Sequence, residues 1–151
     1  MTPAIFGAAA EVNFAARAIE EGLNPHLPLQ HSLPWDCMVD HPERALKVQV
    51  KSSSRVLRDF GAYRPGDFDI IVCWDTDRVF RFFPPWVRYI RISSSPSRRT
   101  KYQHLVENWG LLKQPLKNNL PDFGLPIPDD FLPSEPKLCT NQATDNSGAS
   151  R

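Results

Sequence analysis

The chain has 151 residues, 41% of them hydrophobic and 23% charged, with a formal net charge of +1. That length fits one domain with a single substantial core, and the near-neutral charge does not by itself announce a nucleic-acid binder. No signal peptide opens the sequence and no apolar run reaches bilayer-spanning length, so a soluble, cytoplasmic protein with no membrane partner is expected.

Ile5, Ala8, Ala9, Val12, Ala15, Ala16 and Ile19 recur at helical spacing, and Gly22 follows as a C′ residue, which predicts a first helix over about 7–21. Glu11 stands beside that apolar stripe. From 23 to 29 the chain is extended and interrupted by Pro25 and Pro28, as an edge strand or connector is. After a loop over 30–34 come two short strands, 35–40 and 45–51, joined by His41-Pro42-Glu43-Arg44. Ser52-Ser53-Ser54-Arg55 ends the second, and an irregular stretch leads to 68–74, a nearly continuous apolar run expected as a central strand covered on both faces. Asp75-Thr76-Asp77 turns, 78–83 returns as an alternating strand stopped by Pro84-Pro85, and 86–92 forms a further strand. Tyr102, Leu105, Val106, Trp109 and Leu112 predict a second helix over 101–112. Repeated prolines then imply an extended arm over 113–139 that wraps a neighbouring subunit, and a disordered tail over 140–151.

The two strands before Ser52 carry the chemistry. With a four-residue turn over 41–44, Asp40 faces Ala45 and Asp36 stands opposite Gln49. Alternation then puts Lys47, Gln49 and Lys51 on one face beside Asp36. A carboxylate, an amide and an ammonium group converging on one spot suit metal-assisted phosphodiester hydrolysis. Asp36 would bind Mg²⁺ with a backbone carbonyl, and Lys51 would position water or stabilise phosphate charge. The plain alternative is a cross-strand ion pair between Asp36 and Lys51 with Gln49 solvated. From 78 to 101 the chain carries Arg78, Arg81, Arg88, Arg91, Arg98, Arg99 and Lys101 with no acidic residue, interleaved with aromatics, as phosphate contact beside a packed sheet requires. Neither the three cysteines nor the four histidines show zinc-ligand spacing, and Cys37 and Cys73 read as buried thiols.

Adding Glu11 on the first helix to Asp36 and Gln49-Val50-Lys51, the order along the first 55 residues resembles the PD-(D/E)-XK nuclease superfamily, and within it most of all a cyanobacterial group I intron-encoded homing endonuclease. The literal PD pair is absent, since Pro34-Trp35-Asp36 stands there, and Gln49 replaces an acidic residue, leaving Glu11 and Asp36 as the anionic ligands.

The resemblance implies an α/β fold, a mixed central β-sheet flanked by helices, with the nuclease core over 1–112. It implies catalytic Glu11, Asp36, Gln49 and Lys51, and a metal held by Asp36, Glu11 and the Val50 backbone. The metal would be Mg²⁺, with Mn²⁺ able to replace it and Ca²⁺ a non-cleaving substitute. Ser52, Ser53, Arg55 and the basic residues from Arg78 to Lys101 would contact DNA, as would His31 and Ser32. The implied partner is a long, partly palindromic double-stranded DNA site, and the implied assembly a homodimer or homotetramer, because cutting two strands takes two sites. A junction resolvase or restriction-type nuclease is the enzymatic alternative. A non-catalytic DNA-binding relative is the alternative of another class.

Overall fold

The computed structural model describes residues 2–52, 57–59, 64–75, 77–91 and 101–132. Helix α1 spans Pro3–Glu20. It starts four residues before the sequence expectation because Thr2 caps it, its hydroxyl accepting from the Ile5 N–H at 3.4 Å, and Pro3 follows at the first helical position, where its missing N–H is not needed. It ends as expected at Gly22, whose φ of 79° suits glycine. The Gly22 N–H donates to the Ile19 carbonyl and the Leu23 N–H to that of Ala18, which closes the last turn.

Five strands form the main sheet: β1 (Pro25–His26), β2 (Cys37–Val39), β3 (Leu46–Ser52), β5 (Ile70–Trp74) and β6 (Phe80–Phe83), side by side in that order. Among the described strands β3 and β5 alone run parallel, so the sheet is mixed and the fold α/β, as expected. The short strand β4 (Leu57–Asp59), in a stretch expected to be irregular, pairs antiparallel with β7 (Tyr89–Arg91) in a separate ribbon. β5 lies between β3 and β6 with all five residues buried, the central position its apolar run implied.

The sheet buries both faces. Leu46, Val48, Val50, Ile70, Val72, Trp74, Phe80 and Phe82 form one core with Ala10, Phe14 and Ala18 of α1. Phe68, Ile71, Cys73, Phe83 and Val87 form a smaller core with Trp35 and Tyr102 packed against it. The inward face of α1 is therefore not the stripe read from the sequence. Phe14 anchors it, stacked on Trp109 at 5.5 Å and edge-on to Phe80 at 6.0 Å, and Ala10 and Ala18 on either side let the helix lie close to β3. Burial pushes the Cys37 thiol up to about 11.

The helix expected over 101–112 is replaced by two 3-10 turns, Gln103–Leu105 and Trp109–Leu112. Between them Val106 bridges to Arg81 and the Glu107 N–H donates to the Phe80 carbonyl, while the Glu107 carboxylate accepts from the Phe80 N–H at 2.7 Å and the Trp109 indole at 2.8 Å. Satisfying the β6 edge outweighs the helical periodicity, and Glu107 takes φ of 49° to do so.

Over its described residues, 113–132, the stretch expected as an arm lies on its own body. The Leu116 N–H donates to Glu43 at 2.7 Å, His41 Nε2 donates to the Gln114 carbonyl at 2.9 Å, and Arg44 reaches the side chain and carbonyl of Asn119. Phe123 is 2% exposed and packs edge-on to Trp86. Residues 133–151, including the tail expected over 140–151, fall outside the described residues.

Candidate active site

β2 and β3 pair with Cys37 opposite Val48, Met38 opposite Lys47 and Val39 opposite Leu46. The pairing ends at Cys37, and Asp36 stands just beyond it beside Gln49, the neighbour the turn length predicted. Asp36 does not simply sit across a strand from its partner. Its N–H donates to the Val48 carbonyl at 2.9 Å, and its Oδ2 accepts from the Val50 N–H at 2.8 Å and from Gln49 Nε2 at 2.5 Å. The carboxylate is thus pinned to the edge of β3 just beyond the end of β2. Of the two sequence readings, an ion pair with a solvated Gln49 fails for the amide: Gln49 is 7% exposed and holds Asp36 directly.

Glu11 approaches the same place from α1. Burial pushes its carboxyl above the ordinary range, the Asp36 charge adds to that, and His31 and Lys51 pull it back. Asp36 is likewise raised by burial and held down by the Val50 amide, by Lys51 and by Gln49. Each acid is desolvated and faces the same lysine, and the Asp36 charge presses on Glu11. The structure therefore brings Glu11, Asp36, Gln49, Val50 and Lys51 together, with His31 at the margin.

Burial raises both carboxyls above the ordinary range, so a positive charge beside them favours their ionised forms. The N–H and carbonyl of one strand residue point to the same edge, so the Val50 carbonyl turns to the side where its N–H meets Asp36. Two carboxylates and a carbonyl are hard oxygen donors, the kind a Mg²⁺-like ion takes while keeping several waters. Among the described residues no group of three or more His, Cys, Asp or Glu side chains is placed to hold a metal, and the candidate site has two, Glu11 and Asp36.

The basic residues are placed less uniformly. Arg81 Nε donates to Asp75 Oδ2 at 2.6 Å, an ion pair whose side chains are 19% and 3% exposed, so this arginine is engaged within its own chain. Arg88 is exposed with its guanidinium 5.6 Å above the Tyr89 ring, and Lys101 is exposed with its ammonium 5.0 Å from the Tyr102 ring. Arg78 is exposed at a turn with φ of 60°, Ser52 ends β3, and Arg91 ends β7. Ser53, Arg55, Arg98 and Arg99 lie outside the described residues.

Sequence reasoning missed what anchors the start of β3. Asp69, 4% exposed, accepts from the Lys47 N–H and from both terminal nitrogens of Arg44, each at 2.8 Å. The signal was available: an aspartate inside the apolar run 68–74 is tolerated only with buried donors.

No protein-family model matches the chain, and no curated protein does. Among solved structures it is similar to the bacterial homing endonuclease I-Ssp6803I, with 25% sequence identity, a TM-score of 0.62, and 74% of this chain aligned to 93% of that one. The likeness supports a nuclease fold and points to a DNA endonuclease. Among the described residues no helix is long and apolar enough to cross a membrane.

Proposed function

We propose that the protein is a divalent-metal-dependent endonuclease of the PD-(D/E)-XK type that cuts double-stranded DNA, with intron homing as its specific form. The observation that carries this reading is the meeting of Glu11, Asp36 and Lys51 at the edge of β3 just beyond the end of β2, in a fold similar to that of a bacterial homing endonuclease. Glu11, Asp36 and the Val50 carbonyl would hold Mg²⁺, which when bound supplies Lewis-acid polarisation of a phosphate oxygen and a more acidic water. Gln49 fixes the rotamer of Asp36 through its amide and contributes no charge of its own. Lys51 orients the attacking water and offsets charge on the phosphate. The water oxygen bonds to phosphorus and releases a proton to solvent as the P–O bond to the leaving strand breaks, and the leaving oxygen takes a proton from solvent. Arg88, Lys101, Arg78 and Ser52, with Ser53, Arg55, Arg91, Arg98 and Arg99, serve phosphate contact. Cutting both strands takes two copies of the chain, so a homo-oligomer acts on a partly palindromic site.

The test is cleavage of a pool of long linear DNA and four-way junctions in Mg²⁺ or EDTA, by wild type, Lys51→Ala and Asp36→Asn. Discrete metal-dependent cuts in linear DNA, lost by at least 100-fold in both variants while DNA binding persists, are expected; 100-fold corresponds to about 2.7 kcal/mol of barrier. Cuts at junctions alone would indicate a resolvase. Retained binding with no cutting and no metal uptake would indicate a non-catalytic relative.

A further inference from the structure

The connector that delivers Asp36 to the sheet is apolar and faces water. Leu27, Leu29 and Leu33 are 50%, 100% and 37% exposed, and all three lie between the end of β1 and the start of β2. A solitary exposed leucine needs no explanation, but three on one connector, one of them wholly in solvent, do. Pro28, half-buried, and Pro34 fix the backbone φ on either side of Leu29 and His31. A loop stiffened in this way loses little freedom when a partner grips it.

Position and charge indicate what that partner is. Only Pro34 and Trp35 separate Leu33 from Asp36, and Trp35 is packed against the smaller core. His31, two residues beyond Leu29, bears on the Glu11 carboxyl through its charge. The loop therefore borders both candidate carboxylates. From Gly22 to Trp35 the sequence holds no acidic residue, so no side chain of the connector repels a phosphate chain. Gln30, His31 and Ser32 are exposed between the leucines and offer hydrogen-bonding groups to a DNA backbone.

We propose that Leu29 is a wedge that enters a base step of double-stranded DNA beside the bond to be cut, with Leu27 and Leu33 lying against the sugars around it. This rests on the nuclease reading and adds to it how the substrate is shaped for cleavage. An apolar side chain set between base pairs parts the stack and kinks the duplex. Asp36 cannot move out to a straight duplex, because the Val50 N–H and the Gln49 amide hold its carboxylate at the edge of β3. A kink at Leu29 instead turns the neighbouring phosphate toward it. Two extended residues span about 7 Å and each base pair rises about 3.4 Å, so the parted step lies within roughly three base pairs of that phosphate. Deformability then enters the specificity: pyrimidine–purine steps, which unstack most easily, are favoured at the wedge without any hydrogen bond to their bases.

The test uses the full chain and a linear duplex that wild type cuts out of the long-DNA pool, with 2-aminopurine placed in turn at each step in that window. In EDTA, where the duplex is bound and not cut, wild type should raise the fluorescence at one of these positions. Leu29→Met should do the same and Leu29→Ala should not. In Mg²⁺, Leu29→Ala should cut at least about 10-fold more slowly, and recover on the same duplex carrying a mismatch at the step, where the stack is already weakened. Its Tm should match wild type, since Leu29 is fully exposed. Equal fluorescence and equal cutting by wild type and Leu29→Ala, as expected if the loop instead meets another protein, would overturn the wedge and leave the nuclease standing. A slow variant that the mismatch does not rescue, or one with a lowered Tm, would overturn it as well. A wild type that cuts no linear duplex would remove the proposed function and this inference with it.

Discussion

Both donors that hold Asp36 land on one oxygen, Oδ2, and one of them is the side chain that stands where the nuclease pattern has an acid. Gln49→Glu would replace that donor with a third carboxylate in a nearly closed position. Losing the hydrogen bond and adding repulsion should destabilise the metal-free protein by about 1–3 kcal/mol, several degrees in Tm. Mn²⁺ or Mg²⁺ should return more stability to the variant than it adds to wild type, because a bound cation stabilises only the folded state. A metal-insensitive Tm in the variant would separate Gln49 from any cation site. Asp40 gives a pH prediction with a definite sign. Hydrogen bonds from Asn24, 2.6 Å away, and His26, 2.9 Å away, hold its carboxyl below the ordinary 3.8. A lowered folded-state value means the stabilisation is present above the unfolded value and is lost as pH falls through the folded one. Asp40→Asn should therefore lower Tm slightly at pH 7, and the difference should close in acid below about pH 3.8. A gap that widens in acid would contradict the assignment.

The β5–β6 turn shows why an arginine in a basic stretch need not face a ligand. Asp75 Oδ1 accepts from the N–H groups of Asp77 and Val79, and its Oδ2 from Arg81. Arg81→Ala would leave that carboxylate buried beside a missing cation, which typically destabilises by about 3–5 kcal/mol. The expected outcome is a large fall in Tm with little change in how DNA affinity depends on salt. A normal Tm with a flattened salt slope would assign Arg81 to phosphate instead. The neighbouring stretch over 101–112 follows the same logic, since Glu107 caps the β6 edge and Trp109 at once and thereby ends any helix through it.

Across the molecule, the described cations turned outward include Arg88, lying over the exposed Tyr89 ring, and Lys101, lying over the Tyr102 ring that packs against the smaller core. A planar base or a phosphate can approach such a pair without unpacking anything. Arg88→Ala and Lys101→Ala should each reduce the slope of log affinity against log salt by about one unit and leave folding intact. Unchanged slopes in both would move the DNA-binding surface elsewhere. A chain whose formal charge is only +1 would need its exposed cations gathered on one region to bind a polyanion, and these variants test whether this is that region.

Local rules carried the meeting of Asp36 with Gln49. Strand alternation and a four-residue turn are enough to set Asp36 beside Gln49, because register follows from counting once both strand ends are known. The ends of α1 were half legible: Gly22 closed it as read, while the Thr2-Pro3 start was a signal passed over. The choice between the two apolar faces of α1 was not local. Ile5, Val12 and Ile19 make the stronger pattern along the chain, yet Phe14 points inward because Phe80 and Trp109, distant in sequence, give it rings to stack on. The same holds for residues 101–112, where helical spacing lost to the unpaired edge of β6, and for Asp69 and Asp75, whose cations come from elsewhere in the chain. Periodicity tells which residues avoid water. Which of them meet each other depends on contacts between distant segments, and those are fixed only when the sheet, the helix and the 101–112 stretch close on one another.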